Sequence, residues 1–418
     1  MSRQKRFPTN AFTLRRRRAT TFTLDSQRPP DPDTRFPVLS THHPRILLTN
    51  FHPNGGGGHV TFIRSILQSP LALHYQFGVA SPPGSLALKT AQDLGIPAFP
   101  CWFPGSLREI PDVLRAVSAF GAICGDFRPD LIHCNGGRDH SIVLYRRWWD
   151  NGDEPVVRTH HAIRQLPNTP YHQWLLTRAT ALNTFVCHSA HSLSTAGKAL
   201  KVQNYAVVEN GVDLAHFAPI SPDQDLQRQL GLEPGVRVFG SCAGLGSYKR
   251  VDLLMRAASR LREKYPFRIL ALGGEAAGRE YIALAKSLGL EDRFIYGGFQ
   301  TDVRPWCSLF DVGFILSDRI ETISFAAREM LAMGIPLISS TYAGLVENVE
   351  DGYNGWRVRP GSVDDVEEAM VRMLELNPEE LRVMGANARA KAQRSFGIDR
   401  QTEGMDQVYT QVLRKRAP

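Results

Sequence analysis

Two carboxylates near the C-terminal end, Glu321 and Glu329, have seven residues between them and bracket a turn between an apolar run and a helical segment. A carboxylate can accept hydrogen bonds from two hydroxyls at once, so this pair suits a ligand with two polyol ends, such as a sugar and a ribose. The run Val312 to Leu316 is continuously apolar with β-branched members, as expected of a parallel-sheet strand covered on both faces. Gly334, Ile335 and Pro336 end the helix that follows. With Thr322 or Ser324 capping its start, Glu321 lies in the loop at the strand's carboxyl end and Glu329 about two turns into the helix. Ligands of open α/β sheets bind at that edge. The N–H groups around Ile323, Ser324 and Phe325 favour an anionic or hydroxyl-rich group there.

A second group of candidates lies upstream. Four consecutive glycines, Gly55 to Gly58, follow a strand-like run and lead into an apolar-periodic helix, so that backbone N–H groups can closely approach a phosphate or sugar. This is not a dinucleotide fingerprint, because Val60 and Thr61 stand where its third glycine belongs and no acidic residue follows until Asp93. No P-loop occurs in the chain. His160, with His161 as the alternative, ends the run Pro155 to His161 and can bond a sugar hydroxyl. His133 and His140 can line an acceptor pocket with Asn135, at a spacing that makes no convincing metal site. Lys249 adds a cation after the run Arg237 to Gly244.

These residues need a scaffold of alternating strands and helices. Strand-like runs fall at 45–50, 74–81, 130–135, 155–161, 184–189 and 205–211, and a second set at 237–244, 267–274, 293–299, 311–317 and 336–341. The economical architecture is α/β, two Rossmann-like doubly wound domains with a cleft between them. The expected boundaries are a basic tail at 1–44, a first domain at 45–215, a linker at 216–235, a second domain at 236–395 and a final helix at 396–418. A chain of 418 residues is too long for one hydrophobic core and suits two domains. The formal charge of +8 is concentrated in residues 1–45, where ten Lys or Arg face three Asp. The charge therefore belongs to a tail unable to bury enough apolar surface to fold, and no nucleic-acid module accompanies it. No apolar stretch is long enough to span a membrane, and no hydrophobic core of a secretory signal is present. Six cysteines without CxxC or zinc spacing read as free thiols of a reducing compartment.

The order of motifs resembles the GT-B glycosyltransferases of retaining family 4. The matching stretches are Val207 to Pro219, Ser247 to Leu261, Ile269 to Glu275, Phe294 to Phe299, the Glu321/Glu329 segment and Ala343 to Gly355. The resemblance spans about Arg45 to Leu374 and implies transfer of a sugar from a nucleotide diphosphate sugar to an acceptor hydroxyl, without metal or other cofactor. By the same resemblance Glu321 fixes the sugar, Glu329 the ribose and Lys249 the pyrophosphate, while His160 lies near the transferred sugar. Gly57 and Gly58 close over the donor phosphates, and His59, Asn135 and His161 face the acceptor. The family usually places an Arg five residues before the Lys. This chain has Gly244 there, and Arg250 is the candidate to compensate.

The implied partners are a nucleotide-sugar donor and a sugar or lipid-linked glycan acceptor, with no nucleic acid. Tyr145 to Asp150, with its two Trp, is either a helix end packed by Trp or a membrane-interface patch. The expected location is the cytoplasm or the cytoplasmic face of a membrane. Two alternatives compete with this reading: a non-catalytic nucleotide-sugar-binding subunit, and a synthase or phosphorylase of the same fold acting on small sugars.

Overall fold

The structure is a computed structural model and describes residues 43–53, 57–105, 110–161, 169–186 and 204–415. The expected tail, except for its last two residues, lies outside the described residues, as do Gly55 and Gly56 of the glycine run and the end of the 184–189 strand.

Seven strands build the first sheet: β1 (Arg45–Thr49), β2 (Gln76–Ser81), β3 (Ala98–Pro100), β4 (Leu131–Cys134), β5 (Val156–His160), β6 (Leu182–Phe185) and β7 (Tyr205–Val207). Six build the second: β8 (Arg237–Ser241), β9 (Phe267–Ala271), β10 (Phe294–Tyr296), β11 (Val312–Ile315), β12 (Leu337–Ser340) and β13 (Gly355–Val358). Every pairing is parallel, in the orders β3-β2-β1-β4-β5-β6-β7 and β10-β9-β8-β11-β12-β13. In each sheet the strand order reverses beside the first strand. Opposite crossovers part there, and a crevice opens at the carboxyl ends of the strands. The loops leaving β1 and β4 on one side, and β8 and β11 on the other, are therefore the ones that meet a ligand.

The sheets are buried on both faces because their strands are apolar throughout. Ile46, Leu48, Val79 and Leu131 pack with the helix Gly58–Leu67 on one face of the first sheet. Leu47, Ile132 and Val156 pack with the helices Ile110–Phe127 and Gly137–Asp150 on the other. The last helix, Ile398–Arg414, belongs to this first core although it follows the second sheet. It buries Met405, Val408, Tyr409 and Val412 there, roughly 1.5–3 kcal/mol for each aliphatic side chain. The Tyr409 hydroxyl bonds His133 Nδ1 at 2.8 Å, and Val212 bridges Gly397 where the chain crosses back.

Several strands differ from expectation. The strand expected from residue 74 begins at Gln76, because Pro70–Leu73 form a 3-10 turn capped by Ser69. β7 stops at Val207 rather than running to 211. β3 and β13 are additional edge strands of three and four residues. Within the segment expected as a linker, Gln224–Gln229 form a helix whose N-cap, Asp223, accepts from Asp225 N and Leu226 N. The Trp pair is not packed: Trp148 and Trp149 are 87% and 77% exposed. Among the described residues no helix is long and apolar enough to cross a membrane.

Candidate active site

A cavity of about 770 Å³ lies where the carboxyl ends of the two sheets face each other. From the first sheet it is lined by Gly57, Gly58 and His59 after β1, Asn135 after β4, and His160 and His161 at the end of β5. From the second it is lined by Lys249, Glu321, Ile323, Ser324, Phe325 and Glu329. The walls approach closely, since a Cβ on Gly58 would sit 3.7 Å from the Phe325 ring. Thr322 Oγ1 donates to the His161 carbonyl across the cleft at 2.6 Å.

On the second-sheet wall, Lys249 Nζ donates to Glu321 Oε2 at 2.6 Å. The same oxygen accepts from Ser317 Oγ at 3.2 Å, and Oε1 accepts from Thr322 N at 3.2 Å. Both partners of the ion pair are nearly buried, with side chains 14% and 10% exposed. The geometry thus couples the proposed phosphate ligand to the proposed sugar ligand. Ser324 caps the helix Phe325–Ala332 by accepting from Ala327 N, and does so at φ +56°, a backbone strain of about 1–3 kcal/mol. Glu329 is the fifth residue of that helix, just past one turn rather than two. Burial pushes its carboxyl pKa up to about 7.

Arg328, absent from the sequence expectations, anchors this helix to the hinge. Its fully buried guanidinium donates to the Asn210 carbonyl, pairs with Glu209 at 3.0 Å and lies 4.1 Å from the Phe396 ring centroid. Its position four residues after the cap, inside a helix that also carries Glu329, gave no signal that separates it from a solvent-facing Arg.

On the first-sheet wall the two adjacent histidines divide as strand geometry requires, because successive side chains point to opposite faces. The His161 ring faces the cleft: Nε2 donates to Asn135 Oδ1 at 3.0 Å, and the ring packs on His59 with centroids 4.2 Å apart. Burial and the neighbouring histidines hold its pKa well below the usual value, so the ring is neutral. The His160 ring turns into the core instead, stacked on Phe185 at 4.8 Å with Nε2 on Asn183 Oδ1 at 3.0 Å. His160 nonetheless borders the cavity, with Nε2 the ring atom engaged by Asn183. We expect His160→Ala to lower stability by about 2–4 kcal/mol, since it opens a cavity and strands Asn183. His161→Ala should cost about 3- to 10-fold in turnover and less stability than His160→Ala, because the gap it leaves and the freed Asn135 open onto the cavity. Melting curves and steady-state rates on both variants check this; equal destabilisation by the two would reject the division.

His133 and His140 are fully buried and do not line the cavity, contrary to expectation. His133 is held between Tyr409 and Thr159, and His140 between Arg158 and Thr180. Arg250 is also taken out of the site. At φ +54° its guanidinium bonds Asp252, with Nε–Oδ1 at 2.9 Å, and Asp318. Two carboxylates hold it, and it is not among the residues lining the cavity. Gly244 is at φ +83°, a conformation that disfavours any side chain.

Several buried polar atoms on this cavity have no hydrogen-bond partner among the described residues: His52 Nε2, His59 Nδ1, Arg158 Nε and Asn210 Oδ1. Such groups cost free energy unless a ligand or water meets them, and a polyhydroxylated ligand would.

The family model described as Glycosyl transferases group 1 matches residues 223–391, and the model Glycosyltransferase Family 4 matches residues 56–216. The chain belongs to the family 4 glycosyltransferases. It is a glycosyltransferase by kinship as well. It is 24% identical over 291 residues to the N-acetyl-alpha-D-glucosaminyl L-malate synthase of Bacillus anthracis, an alignment covering 68% of this chain and 75% of that protein. To a D-inositol 3-phosphate glycosyltransferase of Kribbella flavida it is 28% identical over 324 residues, covering 70% and 74%. The GT-B fold is shared with solved glycosyltransferases. A Rickettsia africae glycosyltransferase superposes with a TM-score of 0.77 at 16% identity, over 88% of this chain and 98% of that one. Anabaena HepE in complex with UDP-glucose superposes with a TM-score of 0.73 at 20% identity, over 88% and 100%.

Proposed function

We propose that this family 4 glycosyltransferase moves a hexose from a nucleotide diphosphate sugar to an acceptor hydroxyl with retention of configuration, in glycan or envelope polysaccharide assembly. The observation that carries the reading is the convergence of Lys249, the strained cap at Ser324 and both carboxylates on one wall of a single cavity. A diphosphate entering that wall competes with Glu321 for Lys249. Once the ammonium swings to the phosphate, Glu321 is released to accept the sugar hydroxyls. The developing charge is on the leaving diphosphate, and the ammonium together with the N–H groups at the helix start are aimed at it. Glu329, partly buried and one turn along, is placed for the ribose.

Retention is the expectation that the resemblance to the retaining family 4 enzymes carries. The only carboxylates lining the cavity among the described residues are Glu321 and Glu329, both on the donor wall. In this reading the leaving phosphate takes the acceptor's proton on the same face. A cytoplasmic location is supported by the five described cysteines, all unpaired and four of them buried. Peripheral contact with the membrane is supported by exposed Trp148 and Trp149, with Tyr171 and Trp174 also exposed on a neighbouring helix joined through the Tyr171–Tyr145 hydroxyl bond.

A melting-temperature screen with UDP-, GDP- and ADP-sugars tests the reading. The true donor at a hundred times its dissociation constant should stabilise the fold by about 2.7 kcal/mol. NMR of the product then gives the anomeric configuration. No shift with any donor would overturn the reading, and binding without transfer or hydrolysis would favour a non-catalytic subunit.

A further inference from the structure

We infer that the acceptor carries an anionic group, a phosphate or a carboxylate, and that Arg158 holds it on the first-sheet wall of the cleft. The inference rests on the glycosyltransferase reading and specifies its acceptor.

Arg158 is the third residue of β5 and lines the cavity beside Gly136 and Gly137. Its pose is fixed from behind by bonds whose directions are determined. A guanidinium only donates, so Nη1–H donates to His140 Nδ1 at 2.9 Å. Burial first, and the charge of Arg158 next, hold the His140 pKa well below its usual value. The neutral ring therefore carries its one proton on Nε2 and donates it to Thr180 Oγ1 at 2.9 Å, and Thr180 in turn donates to the Leu175 carbonyl at 2.7 Å. This relay orients the guanidinium without neutralising it.

The rest of the guanidinium is unspent. Nε is shut off from solvent and has no partner, and no described carboxylate forms an ion pair with Arg158. Asp139, the carboxylate that acts on it electrostatically, accepts through Oδ2 from Thr49 Oγ1 at 2.6 Å and from the N–H groups of Asn135 and Gly136 at 3.0 and 3.1 Å, while its buried Oδ1 has no hydrogen-bond partner and makes no ion pair with the guanidinium. Enclosing a cation with idle donors is unfavourable unless an oxyanion completes it, and a carboxylate or phosphate matches the guanidinium fork in two places.

The space for that oxyanion is present. Gly137 is the first residue of a 14-residue helix, and a Cβ there would lie 3.4 Å from Arg158 Nη2. The helix start adds its partial positive charge. The next residue, Arg138, is exposed, 5.4 Å from the Phe51 ring centroid, and lines the neighbouring cavity. The donor's diphosphate has its own partners on the opposite wall, in Lys249 and the Ser324 cap, so the anion at Arg158 is the acceptor's. A second cavity of about 670 Å³ shares Phe51 with the cleft and is lined by Trp102, Phe103 and Arg138, which leaves room for the rest of the acceptor.

The test titrates the full chain, saturated with the nucleoside diphosphate selected by the donor screen, with inorganic phosphate, glycerol 3-phosphate and succinate, and with glycerol as the neutral control. At least one anion should bind and glycerol should not. Arg158→Gln and Gly137→Asp should each weaken the anion tenfold or more, with nucleotide affinity changed less than twofold. Gly137→Asp places its carboxylate at an exposed helix start, where acids are favoured, so it reports even if Arg158→Gln fails to fold. Binding of the two phosphates alone marks a phosphorylated acceptor, and binding of succinate alone a carboxylate. Nucleotide binding with no anion bound overturns the inference and leaves the glycosyltransferase reading intact. Anion binding that survives both variants, or that appears only without nucleotide, also overturns it.

Discussion

Replacement of Lys249 by alanine is expected to lower kcat by about 10²- to 10³-fold on the donor found by the screen, the scale of losing one preorganised donor to a developing charge. Among the described residues lining the cavity, no other cation stands on this wall. Arg250 is consumed by Asp252 and Asp318, and the position where the family carries an Arg is Gly244. Gly244→Arg is a poor rescue despite open space around its Cβ position, because φ +83° charges any side chain about 1–2 kcal/mol. The ion pair adds a second signature. Since Lys249 and Glu321 share one bond, the double change Lys249→Ala with Glu321→Ala should cost less than the two single changes together by about 1 kcal/mol or more. Steady-state rates on the four proteins give this cycle. Strict additivity, or a wild-type rate in Lys249→Ala, would move the diphosphate away from this wall.

The donor wall was more legible in the sequence than the acceptor wall, for a physical reason. Glu321, Ser324 and Glu329 lie within one strand–loop–helix unit, where a continuous apolar run, a capping residue and a terminating Gly334 fix the local geometry almost independently of the rest of the chain. Even the overestimate for Glu329 was less than a helical turn and left it on the cavity. His160 and His161 show the opposite case. At a strand's end, one residue of register decides which ring faces the ligand, and the sequence run Pro155 to His161 leaves both open. Arg158 stands in the same run and shows no periodic or motif signal. Its significance depends on His140, Thr180 and Gly137, brought beside it only by sheet pairing and helix placement. The strands β3 and β13 were hidden for a simpler reason: Ala98–Pro100 is closed by a proline and Gly355–Val358 is interrupted by Arg357, so neither carries the continuous apolar run that marks the short edge strands β7 and β10.

Glu329→Gln is expected to change stability and nucleotide binding in opposite directions, each with its own pH dependence. Burial holds the Glu329 carboxyl near pKa 7, against 4.5 for an unburied glutamate. Between those values the folded state binds more protons than the unfolded one, so the unliganded fold loses stability as pH rises from about 4.5 through about 7. The loss is at most about 3 kcal/mol and is complete above pH 7. Glutamine has no charge to bury. The variant should therefore melt higher than the wild type at pH 8 and at the same temperature near pH 4.5. Binding runs the other way, because a ribose hydroxyl donates best to the ionised carboxylate. Wild-type nucleotide affinity should rise up to about tenfold per pH unit below pH 7 and level off above it, while the variant binds more weakly with a flat profile. Melting curves and calorimetric titrations from pH 5 to 8 measure both. A solvent-facing glutamate would produce neither slope, so a pH-independent melting difference with flat wild-type affinity would remove Glu329 from the ribose and leave it as an ordinary helix residue.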